Sequence, residues 1–120
     1  MRHTILFVDD EIINLFVLEK RFESEYNVLT AESGHDALRI IEENKGSLDA
    51  IISDLRMPEM DGLQLIDKAI PSLIDVPCFL LTGYDRNKQI EEAIDSKKVA
   101  YMFKKPFDYN EIDSVLKSTL

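Results

Sequence analysis

Acidic residues directly follow two short apolar segments of the sequence. Asp9 and Asp10 come after Val8, and Asp54 comes after Ser53. Acids at the start of a helix favour the helix dipole, which is the simplest interpretation of Asp9 and Asp10 alone. Carboxylates that a fold brings close together repel one another, and this repulsion costs stability unless a cation compensates for it. Mg²⁺ keeps several waters and needs only two or three protein oxygens, so these acids are candidate ligands of Mg²⁺ or of another divalent cation such as Mn²⁺.

A hydroxyl and an amine occupy comparable positions later in the chain. Thr82 ends the fourth apolar segment, and Lys105 follows the fifth. Singly, Thr82 fits a strand end or a helix cap, and Lys105 fits a charge that protects a sheet edge from aggregation. Beside a metal and a carboxylate, the amine neutralises the charge of a phosphoryl group and the hydroxyl donates a hydrogen bond to it. As a set, these residues therefore favour phosphoryl chemistry.

Strand-type and helix-type segments alternate along the whole chain and must position these side chains. Short apolar segments predict strands at residues 5–8, 26–30, 50–53, 76–81 and 100–103. Apolar residues at steps of three and four predict a helix after each strand. Ser33 and Asp108 are expected to cap the second and fifth helices, with Asp36 and Glu111 at capping-box spacing. Gly46 is expected to end the second helix, and Pro71 to end the third. The fourth helix has a narrow apolar stripe: Ile90, Ala93 and Ile94.

This alternation predicts an α/β fold, a flavodoxin-like (βα)₅ three-layer sandwich around a parallel sheet of strand order 2-1-3-4-5. The first, third and fourth segments are almost purely apolar, as interior strands of a parallel sheet are. The second carries Asn27 and Thr30 and the fifth runs into Lys104, which is typical of edge strands. Ligands bind beyond the carboxyl ends of such strands, where the strand order reverses. The acids that follow strands one and three are thus expected to share one crevice.

Composition limits the classes of function. The chain has 120 residues, which we take as one domain, 1–120, and its net charge is −9. This charge disfavours direct nucleic-acid binding and anionic membrane surfaces, and no apolar run approaches a membrane span. The single cysteine, Cys78, lies in an apolar segment and fits a small buried residue. We expect a cytoplasmic, soluble protein without membrane insertion, either a monomer or a weak homodimer.

Four motifs in this order and spacing are highly specific: Ile-Leu-Phe-Val-Asp-Asp-Glu at 5–11, Asp-Leu-Arg-Met-Pro-Glu-Met-Asp-Gly at 54–62, Leu-Leu-Thr-Gly at 80–83 and Lys-Pro-Phe at 105–107. The sequence resembles the receiver domains of two-component response regulators, including the chemotaxis regulators. The resemblance extends over about residues 5–116. It implies a phosphorylation switch rather than an enzyme with a separate substrate.

The resemblance also implies a role for each matching residue. Asp54 would accept a phosphoryl group from a sensor histidine kinase or a phosphotransfer protein, and Thr82 and Lys105 would contact the phosphoryl oxygens. The implied Mg²⁺ ligands are Asp10, Asp54 and the backbone carbonyl of Arg56. Asp9 would also hold the ion, mainly through a bound water. Phosphorylation would switch the face formed by helix four, strand five and helix five, and so control a partner or an output domain that the sequence does not identify.

Two positions depart from the family pattern or vary within it. The family usually has an aromatic residue three positions before the lysine, where this chain has Met102, and the aromatic Tyr101 lies one position earlier. Successive strand residues point to opposite faces, so Tyr101 is expected to lie on the opposite side of the strand and to play little part in switching. Arg56 and Tyr84 occupy positions that tune the lifetime of the phosphoryl group in this family.

Two other functions remain to be weighed. A haloacid-dehalogenase-type hydrolase also uses an aspartate nucleophile on a parallel sheet, but it needs a second acid where this chain has Arg56. A receiver-like scaffold that is not phosphorylated typically lacks an acid or the lysine, and this chain has all of them. Whether the domain acts alone or within a longer protein stays open at this level.

Overall fold

The computed structural model describes residues 2–83 and 87–120. The described residues form strands and helices in strict alternation: β1 Thr4–Val8, α1 Ile12–Phe22, β2 Asn27–Ala31, α2 Gly34–Glu43, β3 Ala50–Asp54, α3 Gly62–Ala69, β4 Cys78–Thr82, α4 Lys88–Asp95, β5 Tyr101–Lys104 and α5 Tyr109–Thr119. The strands pair in parallel in the order β2-β1-β3-β4-β5. The predicted flavodoxin-like α/β fold is therefore confirmed.

The helices cover both faces of the sheet because alternate strand residues are apolar on both sides. On one face, strand residues such as Leu6 and Leu80 pack against α2, α3 and α4. On the other face, Phe7 and Phe79 pack against α1 and α5. Every residue of β3 and β4 is buried, whereas β2 and β5 have partly exposed residues. The expected division into central and edge strands is thus correct, since central parallel strands are covered on both faces.

Several element boundaries differ from the sequence-based prediction. Tyr26 precedes β2, because its amide donates to the Phe22 carbonyl at 3.0 Å and closes the turn after α1. β4 begins at Cys78 rather than at residue 76, after Pro77, which has no amide hydrogen to donate to a sheet. β5 extends to Lys104 and begins at Tyr101 instead of residue 100.

The helix caps confirm part of the predicted pattern. The Ser33 hydroxyl accepts the Asp36 amide at 3.0 Å, but the Asp36 carboxylate accepts the amide of Glu32 instead of returning to Ser33. Asp108 likewise caps α5, and its partner in the predicted box, Glu111, instead accepts the Tyr101 hydroxyl at 3.1 Å.

Two helix ends were predicted incompletely. The reciprocal capping box of the structure joins Asp61 and Gln64 at the start of α3, which the sequence analysis did not identify. α2 ends at Glu43, before the expected stop at Gly46, which has a φ of 85° in the following turn. α3 does end before Pro71, which lies in a short 3₁₀ turn.

The interior is apolar around Cys78, which is buried as predicted. Burial raises the pKa of the Cys78 thiol to about 12, so it stays protonated and unreactive. Among the described helices, none combines the length and apolar character that a membrane crossing requires.

Candidate functional site

Three carboxylates meet at the carboxyl ends of β1 and β3. The two strands pair in parallel with Val8 opposite Ser53, so the residues that follow them emerge side by side. Carboxylate oxygens of Asp9, Asp10 and Asp54 lie within 4.8 Å of one another. Asp9 and Asp54 are buried, while Asp10 is exposed. The structure therefore brings together the acids that the sequence analysis expected to converge.

Thr82 and Lys105 lie at the same end of the sheet as the three carboxylates. Thr82 is the last residue of β4, and Lys105 directly follows β5. The Nζ atom of Lys105 lies 3.2 Å from Oδ2 of Asp54. Thr82 ends β4 one residue beyond Leu81, which pairs with Asp54, and its side chain is buried. The amide of Lys105 donates to the Thr82 carbonyl at 2.8 Å, so the loop after β5 is tied to the end of β4.

An open cleft of about 450 Å³ lies at this end of the sheet; it is lined by Asp10, Glu11, Asp54, Arg56, Gly83 and Lys105. The Asp54 carboxylate is thus reachable from one side although it is 5% exposed. Among the residues that the structure describes, no atom lies within 4 Å of a Cβ built at Gly83, so the described part of this rim has free space. Tyr84, the second position expected to tune the phosphoryl lifetime, lies outside the described residues.

The site concentrates negative charge in a partly dry environment. The pKa of Asp54 is raised to about 6, because burial and the charge of Asp9 raise it more than the Lys105 ammonium lowers it. Burial also raises the pKa of Asp9 above its usual value, against hydrogen bonds from the Glu11 amide and the Asn14 side chain. Neither carboxylate becomes ionised without an energetic cost, because charged groups lose hydration when they are buried.

The donor set fits a hard divalent cation. Oxygens of three carboxylates within 4.8 Å supply the ligand type and charge that Mg²⁺ and Mn²⁺ prefer. The exposed position of Asp10 leaves solvent access for the waters that Mg²⁺ retains. A bound cation would also cancel the repulsion between the carboxylates.

The loop after β3 folds tightly over the end of the strand and carries Arg56 at the cleft. The Gly62 amide donates to the Leu55 carbonyl at 2.8 Å. A Cβ atom at position 62 would lie 2.5 Å from the Asp54 carbonyl oxygen, so only glycine permits this approach. Gly62 therefore serves the position of Asp54, and Asp61 caps the start of α3.

One residue that contacts the site was missed by the sequence analysis. Asn14 lies in the first turn of α1, and its Nδ2 donates to Oδ2 of Asp9 at 3.2 Å. It stands as a polar residue between Ile13 and Leu15. This interruption of an apolar run, one helical turn after Asp10, was the signal available in the sequence.

The side chains of Tyr101 and Met102 lie on opposite faces of the sheet, as predicted. Tyr101 packs with Phe103 at a ring-centroid distance of 5.0 Å, on the side of α1 and α5. Met102 packs into the other cluster, which contains Ile90 and Ala93 of α4.

Comparisons with known proteins agree with this geometry. Residues 5–117 match the family model of the response regulator receiver domain. The chain is 38% identical over 125 aligned positions to the transcriptional regulatory protein GlrR of Escherichia coli K12, covering 96% of this chain and 26% of that protein. The chain thus spans about a quarter of the length of such curated relatives.

Two solved structures illustrate the similarity of the fold. The receiver domain of the hybrid histidine kinase CckA matches with a TM-score of 0.83 and 34% identity, over 98% of each chain. The response regulator TrrA from Thermotoga maritima, solved in complex with Mg²⁺ and BeF, matches with a TM-score of 0.82 and 28% identity, over 98% of this chain and 99% of that one. With the family match spanning nearly the whole chain, this protein belongs to the response regulator receiver domain family.

Proposed function

We propose that this domain is a phosphorylation switch in which Asp54 accepts a phosphoryl group from a histidine of a sensor kinase or phosphotransfer protein. The observation that carries the proposal is the placement of the Asp54 carboxylate in an open cleft, 3.2 Å from the Lys105 ammonium and within 4.8 Å of two further carboxylates. Receiver domains are signalling modules, and TrrA was solved with Mg²⁺ and BeF, a mimic of a phosphoryl group.

The side chains divide the chemistry between them. A carboxylate oxygen of Asp54 forms the new bond to phosphorus, and the bond between phosphorus and the donor's histidine nitrogen breaks with its electron pair left on nitrogen. Lys105 neutralises charge on the phosphoryl oxygens, and the Thr82 hydroxyl donates a hydrogen bond to one of them. An Asp54 pKa of about 6 leaves the carboxylate mostly ionised, and hence nucleophilic, near pH 7.

The proposed metal ligands are the three carboxylates and the backbone carbonyl of Arg56, with Asp9 acting mainly through water. Mg²⁺, or Mn²⁺ in its place, would supply charge neutralisation for the phosphoryl oxygens. The chain's own contribution is to hold the carboxylates close together at the ends of β1 and β3.

The donor protein has a candidate contact surface beside the cleft. Ile12, Ile13 and Phe16 are 65%, 77% and 56% exposed on α1, which begins two residues after Asp10. A protein that delivers a phosphoryl group to Asp54 must cover the part of the cleft that lies beside the start of α1. Exposed clustered apolar side chains are typical of such interfaces. We call Ile12, Ile13 and Phe16 the α1 patch.

The output surface is proposed to be the face formed by α4, β5 and α5. Thr82 ends the strand before α4, and Lys105 lies between β5 and α5, so both groups proposed to contact phosphate belong to this side. α4 has eight residues, of which Ile90 and Ala93 are buried. A short helix with few buried contacts shifts at low cost. Its movement would be read by a downstream protein or an output domain.

The assignment of Asp54 is tested by labelling with a small phosphodonor. Incubation with acetyl phosphate and Mg²⁺ should add one phosphoryl group, seen by intact mass, and hydroxylamine should remove it. Asp54→Asn should abolish the adduct. Asp61→Asn is the matched control, because asparagine also caps a helix and the residue lies at the start of α3. Labelling of Asp54→Asn at the wild-type level would show that the assignment is wrong.

A further inference from the structure

Both carboxylate oxygens of Asp9 are held by separate donors. The backbone amide of Glu11 donates to Oδ1 at 2.9 Å, and Nδ2 of Asn14 donates to Oδ2 at 3.2 Å. Asp9 has no exposed surface, so its carboxylate depends on these protein donors. A carboxylate with two lone pairs on each oxygen keeps further acceptor capacity after both bonds are made.

The two donors do different things to this carboxylate. The Glu11 amide belongs to the turn directly after β1 and fixes one oxygen. Asn14 is carried by α1, and it fixes the second oxygen and therefore the rotation of the carboxylate plane. The Asn14 amide also lies 3.4 Å from Oε2 of Glu11, which keeps the amide group oriented toward the acids. The first turn of α1 is closed by the Leu15 amide on the Glu11 carbonyl at 3.3 Å, so Asn14 sits on regular helix.

We propose that Asn14 is a positioning residue of the metal site, whose amide orients Asp9 and so favours Mg²⁺ over Ca²⁺. This inference rests on the proposed function, which assigns Asp9 to that site. Mg²⁺ demands a nearly ideal octahedral arrangement, whereas Ca²⁺ accepts variable numbers and directions of oxygens. The direction of the Asp9 carboxylate matters whether it meets the ion directly or holds a metal-bound water. Free rotation of this carboxylate therefore weakens binding of the smaller ion more than binding of the larger one.

The test compares metal affinities of the full chain after removal of bound metal. Asn14→Leu keeps the size of the side chain but removes the amide group that donates to Asp9 and to Glu11. We expect its Kd for Mg²⁺ to rise about tenfold, the lower range for lost hydrogen bonds to ligating carboxylates. The Kd for Ca²⁺ should rise less, so the ratio of the two constants changes. Both are measured by calorimetric titration. Asn14→Gln, which retains an amide on a longer side chain, should recover part of the Mg²⁺ affinity.

Controls separate this role from a general effect on the helix. Val17→Ala changes an exposed residue of the same helix and should leave both constants unchanged. Asn14→Ala removes the same donors by a different side chain and should reproduce Asn14→Leu. An unchanged Mg²⁺ affinity in both Asn14→Leu and Asn14→Ala, or an equal loss for Mg²⁺ and Ca²⁺, would overturn the positioning role.

Failure of the proposed metal site would look different. Wild-type protein that binds no Mg²⁺, or Asp10→Ala that binds it as tightly as wild type, would contradict the metal site itself and the role of Asn14 with it. A different result would contradict the role of Asn14 alone. In that case wild type binds Mg²⁺ normally, Asp10→Ala loses this binding, and Asn14→Leu and Asn14→Ala bind Mg²⁺ as tightly as wild type.

Discussion

Asp54, the proposed acceptor, combines burial with the ionised state that a nucleophile needs. Burial and the neighbouring Asp9 favour the protonated form, and Lys105 favours the charged form. The resulting pKa of about 6 is low enough for ionisation at neutral pH but implies an energetic cost in the folded protein. The ionised Asp54 carboxylate therefore lowers the free energy of unfolding, and this ionised form is the one that the proposed chemistry needs.

This cost predicts a pH dependence of stability. Because the folded-state pKa of Asp54 is raised from 3.8 to about 6, the favourable contribution of its protonated form is complete below pH 3.8 and is lost by about pH 6. In EDTA, wild type should lose about 2 to 3 kcal/mol across this window relative to Asp54→Asn. Urea unfolding at intervals from pH 4 to pH 7 measures the difference. Parallel curves for the two proteins would contradict the raised pKa.

Gly62 gives a second prediction at the level of one residue. A methyl group at position 62 would lie 2.5 Å from the Asp54 carbonyl oxygen, 3.0 Å from Leu80 Cδ2 and 3.2 Å from Leu55 Cα. Gly62→Ala should destabilise the fold by about 2 kcal/mol, because backbone atoms must move. It should also slow labelling of Asp54. A methyl group at position 83 meets no atom of the described chain within 4 Å, so Gly83→Ala should unfold at the wild-type urea concentration. Equal stability of the two variants would exclude the close approach.

At the level of elements, the two faces of β5 make different contacts. Tyr101 belongs to the face covered by α1 and α5, where its hydroxyl donates to Glu111 at 3.1 Å. Met102 contacts the cluster under α4. Methionine is flexible and fills gaps in several rotamers. If α4 moves as proposed, we expect a low barrier to this movement and some output signalling by the unphosphorylated protein.

The switching face can be mapped by backbone NMR with and without beryllofluoride and Mg²⁺. Shift changes should centre on residues 82–105 and persist in Tyr101→Phe, because the Tyr101 side chain lies on the face away from α4. Tyr101→Phe should cost about 1 kcal/mol of stability through loss of the Glu111 hydrogen bond. Changes restricted to α1 and α2, or changes that disappear in Tyr101→Phe, would contradict this assignment.

At the level of the whole molecule, the cleft and the α1 patch lie at one end of the sheet, beyond the carboxyl ends of the strands. Ile74, which is 87% exposed, precedes β4 and lies at the other end. The parallel sheet thus separates two exposed apolar surfaces, only one of which borders the acceptor carboxylate.

This separation predicts a selective effect on protein donors. Ile13→Ala and Phe16→Ala should each slow transfer from a phosphorylated histidine-phosphotransfer protein by about 5- to 30-fold, because each removes apolar contact area worth about 1 to 2 kcal/mol. Labelling by acetyl phosphate should not change, since this small donor needs no such surface. Ile74→Ala is the matched control. A similar slowing with acetyl phosphate would place the defect in the site rather than in docking.

The sequence was sufficient to predict the order of elements, the parallel sheet and the convergence of Asp9, Asp10 and Asp54. The spacing of apolar residues and the composition of each strand indicate which faces are buried, and hence how the elements pack. The exact ends of β2, β4 and β5 were not, because they depend on which amides find partners in the folded chain, as those of Tyr26 and Lys105 do.

Side-chain partners on different elements were decided by the tertiary structure, unlike the local caps at Ser33 and Asp108. Glu111 has the spacing of a capping box, yet it accepts a hydroxyl from Tyr101, ten residues away, on another element. Asn14 reads as a helix residue, and only the packing of α1 at the end of β1 brings its amide to Asp9. Local pattern determines which elements form and which faces are buried. The polar contacts between elements depend on distances of a few tenths of an ångström, which arise only when the whole sheet has assembled.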